Sequence, residues 1–220
     1  MNAQFRPSQN AGSEPLLTSA IKYLTILFWL ALASLIVNLI TWLPIQDRWA
    51  VWVKRAFDVG TILCLFLLTP ANLRYRKSAF FRTAIFCCTI LNLLIGSLLL
   101  ASPLLRLSDV LVFILSIGAG WHLYRAHAEL IADHSAKMAR NWRNLFWWEL
   151  VLSMISTTIS VASYILAPDT ALSFNAIAAV FTALSSLVVV ILNAILDVIS
   201  IIFLGLTVNI LKQQSQNPPC

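Results

Sequence analysis

Charge is scarce in this sequence. Only 11% of the 220 residues are Asp, Glu, Lys or Arg, and 60% are hydrophobic. A soluble domain carries about 25% charged residues. The deficit excludes an ordinary water-soluble globule, because most side chains must be solvated by lipid or by protein. No polar stretch is long enough to bury a core of its own, which excludes a separate soluble domain. Acidic residues are the rarest, nine against fifteen Lys and Arg, for a net charge of +6. The bases are scattered between apolar runs. We read them as cytoplasmic loops facing anionic headgroups, not as a nucleic-acid face.

Catalytic and cofactor signatures are missing too. There is no P-loop, no GxSxG elbow, no intramembrane GxGD pair and no acidic metal cluster. The three histidines are His122, His127 and His134. His127 and His134 share a helix face but lie two turns apart, roughly 10.5 Å at the helical rise, too far for one metal ion. His122 and His127 diverge, and no other span offers a second haem ligand. Solvated or interfacial histidines are therefore expected, with no cofactor, no metal and no enzymatic activity. Cysteine is equally uninformative. Cys64, Cys87 and Cys88 sit in apolar runs and read as small hydrophobes. Cys220 is the last residue, whereas a prenylation box needs its cysteine four from the end. No Asn-X-Ser/Thr sequon occurs. With the short loops and the absence of a targeting peptide, this leads us to expect a bacterial inner membrane.

What is present is a series of apolar runs. The spacing predicts an all-α polytopic transmembrane bundle of about six spans with both termini cytoplasmic. A polar, disordered tail covers 1–20, with Thr18 or Ser19 capping the first helix. Spans are expected at 21–43, 49–69, 79–101, 109–124, 144–167 and 187–211, with an amphipathic cytoplasmic connection at 125–143 and a polar tail at 212–220. A signal peptide cut after Ala31-Leu32-Ala33 competes with the first span, but the apolar run continues past that point. The second span holds Trp49, Trp52, Lys54, Arg55 and Asp58. It crosses if its helix starts near Trp49 and Lys54 meets Asp58 one turn on; otherwise it is interfacial. Pro70 ends it, and Arg74, Arg76, Lys77 and Arg82 follow as a basic loop. The apolar run 171–211 is long for one span. We split it into an outer-face helix near 174–185 and the sixth span. With this topology only Arg48, Lys54, Arg55 and Arg106 of the fifteen bases fall outside, in accord with the positive-inside rule.

The stretch 121–149 organises the chain. It holds all three histidines and four of the eight tryptophans. Arg125 with Glu129 and Asp133 with Lys137 are spaced i,i+4 on a wet face that also carries Arg140 and Arg143. Ala128, Ile131, Ala132, Met138, Trp142 and Leu145 lie opposite. Ser135 is placed to break the helix and cap the next one. Trp142, Trp147 and Trp148 read as an interfacial belt. Arg125, Glu129, Asp133, Lys137, Arg140 and Arg143 form a candidate cytoplasmic interaction face.

Two intramembrane features carry candidate chemistry. Ser186, Asn193, Ser200 and Thr207 recur every seven residues, and Asp197 follows Asn193 by four, so all five fall on one side of the last helix. They form either a substrate or proton seam or a hydrogen-bonding glue to neighbours such as Asn92 or Asn38. A mid-membrane carboxylate at Asp197 costs at least about 2.5 kcal/mol on insertion scales and must be protonated, paired or hydrated. Glu149 is a candidate gate with His122 or His127, or else the partner of Arg125, Lys137 or Arg143. Two function classes follow. One is a non-enzymatic membrane component (subunit, assembly factor, sensor or immunity-type protein) that meets a protein partner through 121–149. The other is a small oligomeric transporter or channel using the seam. The reading leans towards the first.

Overall fold

The computed structural model describes residues 14–41, 48–96, 103–165 and 172–216, with side chains at 16–38, 52–91, 111–159 and 187–216. The described residues form six helices and no strand: α1 (Glu14–Thr41), α2 (Arg48–Leu67), α3 (Leu73–Gly96), α4 (Pro103–Ile131), α5 (Ala136–Ile165) and α6 (Leu172–Gln216). Each packs against its neighbours in sequence, and α6 returns to α1, so the helices close a ring, with α4 also touching α6. Neighbours run antiparallel. Arg74 at the start of α3 meets Glu129 at the end of α4, and Trp142 early in α5 meets Thr207 late in α6.

The helix ends follow local chemistry. The Asn72 side-chain oxygen accepts the backbone N–H of Arg74 at 2.8 Å and caps α3. α2 stops at Leu67, and Pro70 sits in the turn that follows. Ser135 Oγ accepts the N–H of Met138 at 3.2 Å, the cap expected at that residue.

The core is concentrated at the end of the ring that carries the 68–72 and 132–135 turns. Leu24, Leu65, Leu68, Tyr75, Ala79, Ala126, Ala128, Ile131, Ala139, Trp142 and Leu211 are all buried there. The outer faces are different. Trp29, Trp52, Leu63, Phe80, Ile114, Trp148, Met154, Val188 and Ile202 are exposed, so every helix turns large apolar side chains outward. An exterior of this kind marks contact with lipid or protein rather than water. Two helical stretches, Leu16–Asn38 and Leu187–Gln216, are long and apolar enough to cross a membrane. The remaining helices are shorter or carry charged residues within their length.

Several expectations are corrected. α1 begins at Glu14, so residues 14–20 are helix rather than tail, Ala20 is buried, and Thr18 and Ser19 lie inside the helix instead of capping it. Residues 1–13 lie outside the described residues. Arg55, not Lys54, pairs with Asp58, at 3.1 Å and a spacing of i,i+3. The expected basic loop is the first part of α3, because the Asn72 cap starts the helix early and Tyr75, Ser78 and Ala79 bury one face of it. α4 runs from Pro103 through 131, so the fourth span and the first seven residues of the connection, 125–131, are one helix. Asp133 sits in the turn between α4 and α5, which removes the helical register with Lys137; no ion pair joins them among the described residues. α6 is unbroken from Leu172 to Gln216, without the proposed break near 186. No Gly or Pro interrupts it before Gly205. It also carries the first residues of the expected C-terminal tail.

Gly118 and Gly120 test the packing of α4. A Cβ at Gly118 would lie 2.9 Å from the Phe81 ring, whereas one at Gly120 would lie 3.8 Å from Phe146. Gly118→Val is expected to destabilise the bundle by about 1–3 kcal/mol through overpacking. Gly120→Ala should be close to neutral in the same thermal-unfolding measurement in detergent. Equal effects would refute the close α3–α4 approach.

Candidate functional site: an ionisable cavity above an aromatic layer

The buried end of the ring is closed by one connected layer. Trp142 is 1% exposed, and its indole N–H donates to Thr207 Oγ1 at 3.0 Å. Its ring stacks on His127, with centroids 4.6 Å apart. His127 Nδ1 shares a hydrogen bond of 2.9 Å with the Tyr75 hydroxyl. Four helices are joined by this chain of contacts. Tyr124, Phe146 and Phe203 extend it around Trp142. Trp142 is thus core rather than belt, while Trp147 and Trp148 are exposed as expected.

Of the three histidines, only His134 is exposed; His127 is 2% exposed. Burial, with the nearby Arg82 charge, pushes the His127 imidazole down to about 3. His122 is half-buried and stacks on Phe81. Among the described residues no group of His, Cys, Asp or Glu is arranged to hold a metal ion.

A cavity of about 260 Å³ adjoins this layer at Tyr124 and extends away from it along the helices. Arg55, Asp58 and Ile62 line it from α2, Arg82, Ile85 and Phe86 from α3, Ser116, Ala119, Gly120 and Tyr124 from α4, and Glu149 from α5. Glu149 follows Trp142 by seven residues, and Arg82 follows Tyr75 by seven, so both sit roughly 10 Å from the layer. The Glu149 carboxylate faces the Tyr124 hydroxyl and the Arg82 guanidinium. No ion pair joins Glu149 to Arg82, Arg125, Lys137 or Arg143 among the described residues. Three polar atoms on the wall are buried without a hydrogen-bond partner: Arg55 Nε, Arg82 Nε and Glu149 Oε2. A Cβ at Gly120 would lie 3.9 Å from Glu149 Oε2.

The predicted seam divides along α6. Thr207 belongs to the aromatic layer. Ser200 is half-buried beside the Tyr124 hydroxyl. Asp197 shares the helix face of the buried Ile201, Leu204, Val208 and Leu211, at spacings of four, seven, eleven and fourteen, and Asn193 precedes it by one turn. Both are nevertheless exposed. The charged groups nearest in field to Asp197 are Glu149 and Lys54. The Ser186 and Asn92 side chains lie outside the described residues. The seam therefore runs past the cavity rather than lining it. Arg55 and Asp58, expected in the second span, and Arg82, expected in a basic loop, are among the residues that do line it.

The cytoplasmic face is partly tied down. Arg74 donates to Glu129 at 2.7 Å, Asn72 Nδ2 donates to it at 3.2 Å, and Arg125 stands 3.7 Å away. Partial burial alone would raise the Glu129 pKa, but the Arg74 and Asn72 hydrogen bonds and the Arg74 and Arg125 charges hold it below the usual carboxylate range. Arg125 also lies over the Trp121 ring, 4.9 Å from its centroid. Asp133, Lys137, Arg140 and Arg143 are exposed and form no ion pair among the described residues.

The His127 environment carries a pH signature. The folded protein resists protonating a ring whose ordinary pKa is 6.5. Below that value the unfolded chain binds a proton that the folded chain does not, so stability falls as pH drops from about 6.5 towards 3. The unfolding temperature of the wild-type protein is expected to fall between pH 7 and pH 5. His127→Gln should start lower and show a shallower slope. Parallel slopes would remove His127 as the cause.

No protein-family model, curated protein or solved structure matches this chain.

Proposed function

We propose that this protein is a six-span membrane bundle whose interior cavity forms part of a pathway for a small polar solute. The supporting observation is the pairing of an apolar exterior with ionisable groups turned inward. Arg55, Asp58, Arg82 and Glu149, with Tyr124, come from four helices and meet in one cavity. Charged side chains inside a membrane are costly and belong to bundle interiors or hydrated paths. Asn193 and Asp197 continue the polar surface along α6. The closed layer around Trp142 fits the inner end of such a path. The basic ends of α3 and α5 fit the cytoplasmic side, and a bacterial inner membrane suits the short connections.

A second reading rests on the exposed bases at the same end. Lys137, Arg140 and Arg143 have no acidic partner within the described residues and form a surface suited to an acidic protein partner or to anionic headgroups. In that reading the protein is a non-enzymatic component, acting through 121–149. Charge reversal at Arg140 and Arg143 abolishes co-purification of a partner if that surface is its docking face.

Topology and flux test the first reading separately. Single cysteines at Lys137 and Trp52, in a background without Cys64, Cys87, Cys88 and Cys220, should react with an impermeant thiol reagent from opposite sides of the membrane. Asp197→Asn and Glu149→Gln, reconstituted at normal expression, should reduce solute flux at least tenfold. Wild-type flux in both variants would refute the pathway.

A further inference from the structure

We propose that the cavity is a binding site for a small zwitterion, an amino-carboxylate whose carboxylate sits on Arg82 and whose ammonium sits on Glu149. This rests on the solute-pathway reading and names its substrate class. The cavity wall carries two guanidinium groups and two carboxylates. Arg55 and Asp58 already neutralise each other at 3.1 Å. Arg82 and Glu149 face each other electrostatically but make no ion pair within 4 Å. A cation and an anion held apart across one cavity are both costly in a low dielectric. An anionic ligand alone would satisfy Arg82 and leave Glu149 uncompensated, and a cationic ligand would do the reverse. A zwitterion compensates both.

Hydrogen bonding points the same way. Arg82 Nε is a buried donor without a partner, and Glu149 Oε2 is a buried acceptor without one. A carboxylate accepts from the first, and an ammonium donates to the second. Arg55 Nε offers a further unpartnered donor on the same wall. Gly120 lines the same wall beside Glu149 Oε2, 3.9 Å from where its Cβ would stand. Size and the remaining wall define the ligand's body. About 260 Å³ lies just below the usual range for drug-sized ligands, about 300–1,000 Å³. Ile62, Ile85, Phe86 and Ala119 offer only apolar contact. The ligand is therefore small, with a short aliphatic body and no second charged group.

Equilibrium dialysis of the full-length protein in mild detergent tests this with labelled alanine as the probe. Saturable binding is expected, displaced by unlabelled glycine and at least tenfold less effectively by acetate or methylammonium. Arg82→Gln and Glu149→Gln should each weaken alanine binding at least tenfold, and Arg82→Lys, which keeps the charge but loses the fork, should lie between. If the neutralising variants do not purify folded, the competition series on the wild-type protein decides. Acetate or methylammonium competing as well as glycine overturns the zwitterion and leaves the solute-pathway reading in place. No saturable binding of alanine, acetate or methylammonium overturns the site itself. The pathway reading stands or falls separately, on the flux of the Asp197 and Glu149 variants.

Discussion

The contacts of Trp142 are the constraint on which the rest of the bundle depends. A single buried indole donates to Thr207 on α6 and stacks on His127 of α4, which in turn holds the Tyr75 hydroxyl on α3. Without a hydrophobic driving force between helices in lipid, packing and interhelical hydrogen bonds must hold a membrane bundle together. These contacts supply both at one level. They also fix register. Sliding α5 by one residue turns Trp142 away from Thr207 and brings an exposed neighbour inward. The antiparallel partners then set the rest, with Ser78 donating to the Ala119 carbonyl at 2.9 Å and Arg74 bound to Glu129.

The close-packed core is concentrated at one end of the ring, and the charged groups lie beyond it. Beyond it, the inward side chains change from Trp142, Tyr75 and Ile131 to Arg82, Glu149, Arg55 and Asp58. Their charges cancel in pairs, so the cavity as a whole carries no net charge. The Arg55–Asp58 contact lies within one helix, whereas Arg82 and Glu149 come from α3 and α5 and share the cavity only where both helices are in the ring. One pair is local, and the other depends on the tertiary packing.

The all-helical class was legible from the apolar runs, because an uninterrupted hydrophobic run of about 20 residues is a strong helix signal, but the number of helices was not, since the expected outer-face helix near 174–185 is part of one unbroken α6. The Ser135 cap and the buried face of Ala128, Ile131, Met138, Trp142 and Leu145 were legible too, and follow from helical spacing alone. The cavity was not legible. Arg82 sits among other bases and reads as a loop residue until Asn72 is seen to cap α3 ahead of it. Arg55 and Lys54 are adjacent, and only the packing decides which of them turns inward. His127 looked solvated for a similar reason. Its polar neighbours Arg125 and Glu129 lie on the opposite face, and its partners Tyr75 and Trp142 lie 52 and 15 positions away. Residues that meet across sequence distances of this kind leave no local pattern.

The length of α6 bears on where the polar groups sit. Its 45 residues make a helix of roughly 68 Å, more than twice the hydrocarbon thickness of about 30 Å. Only part of it can be in lipid at once. The stretch of it that is apolar enough to cross is Leu187–Gln216, and the aromatic layer meets that stretch at Thr207. Twenty residues back from Thr207, about one hydrocarbon thickness, reach Leu187, with Asp197 midway. Counted from Trp142 and Tyr75, Glu149 and Arg82 lie seven residues from the layer, about 10 Å, and Asp197 lies ten residues from Thr207, about 15 Å. The polar groups of three helices thus fall within about one turn of each other beyond the same packed layer. A lone carboxylate at that depth would be a defect in lipid. Asp197 instead stands on the polar stripe it shares with Asn193 and Ser200, with Glu149 of the neighbouring cavity and Lys54 as the charges that act on it.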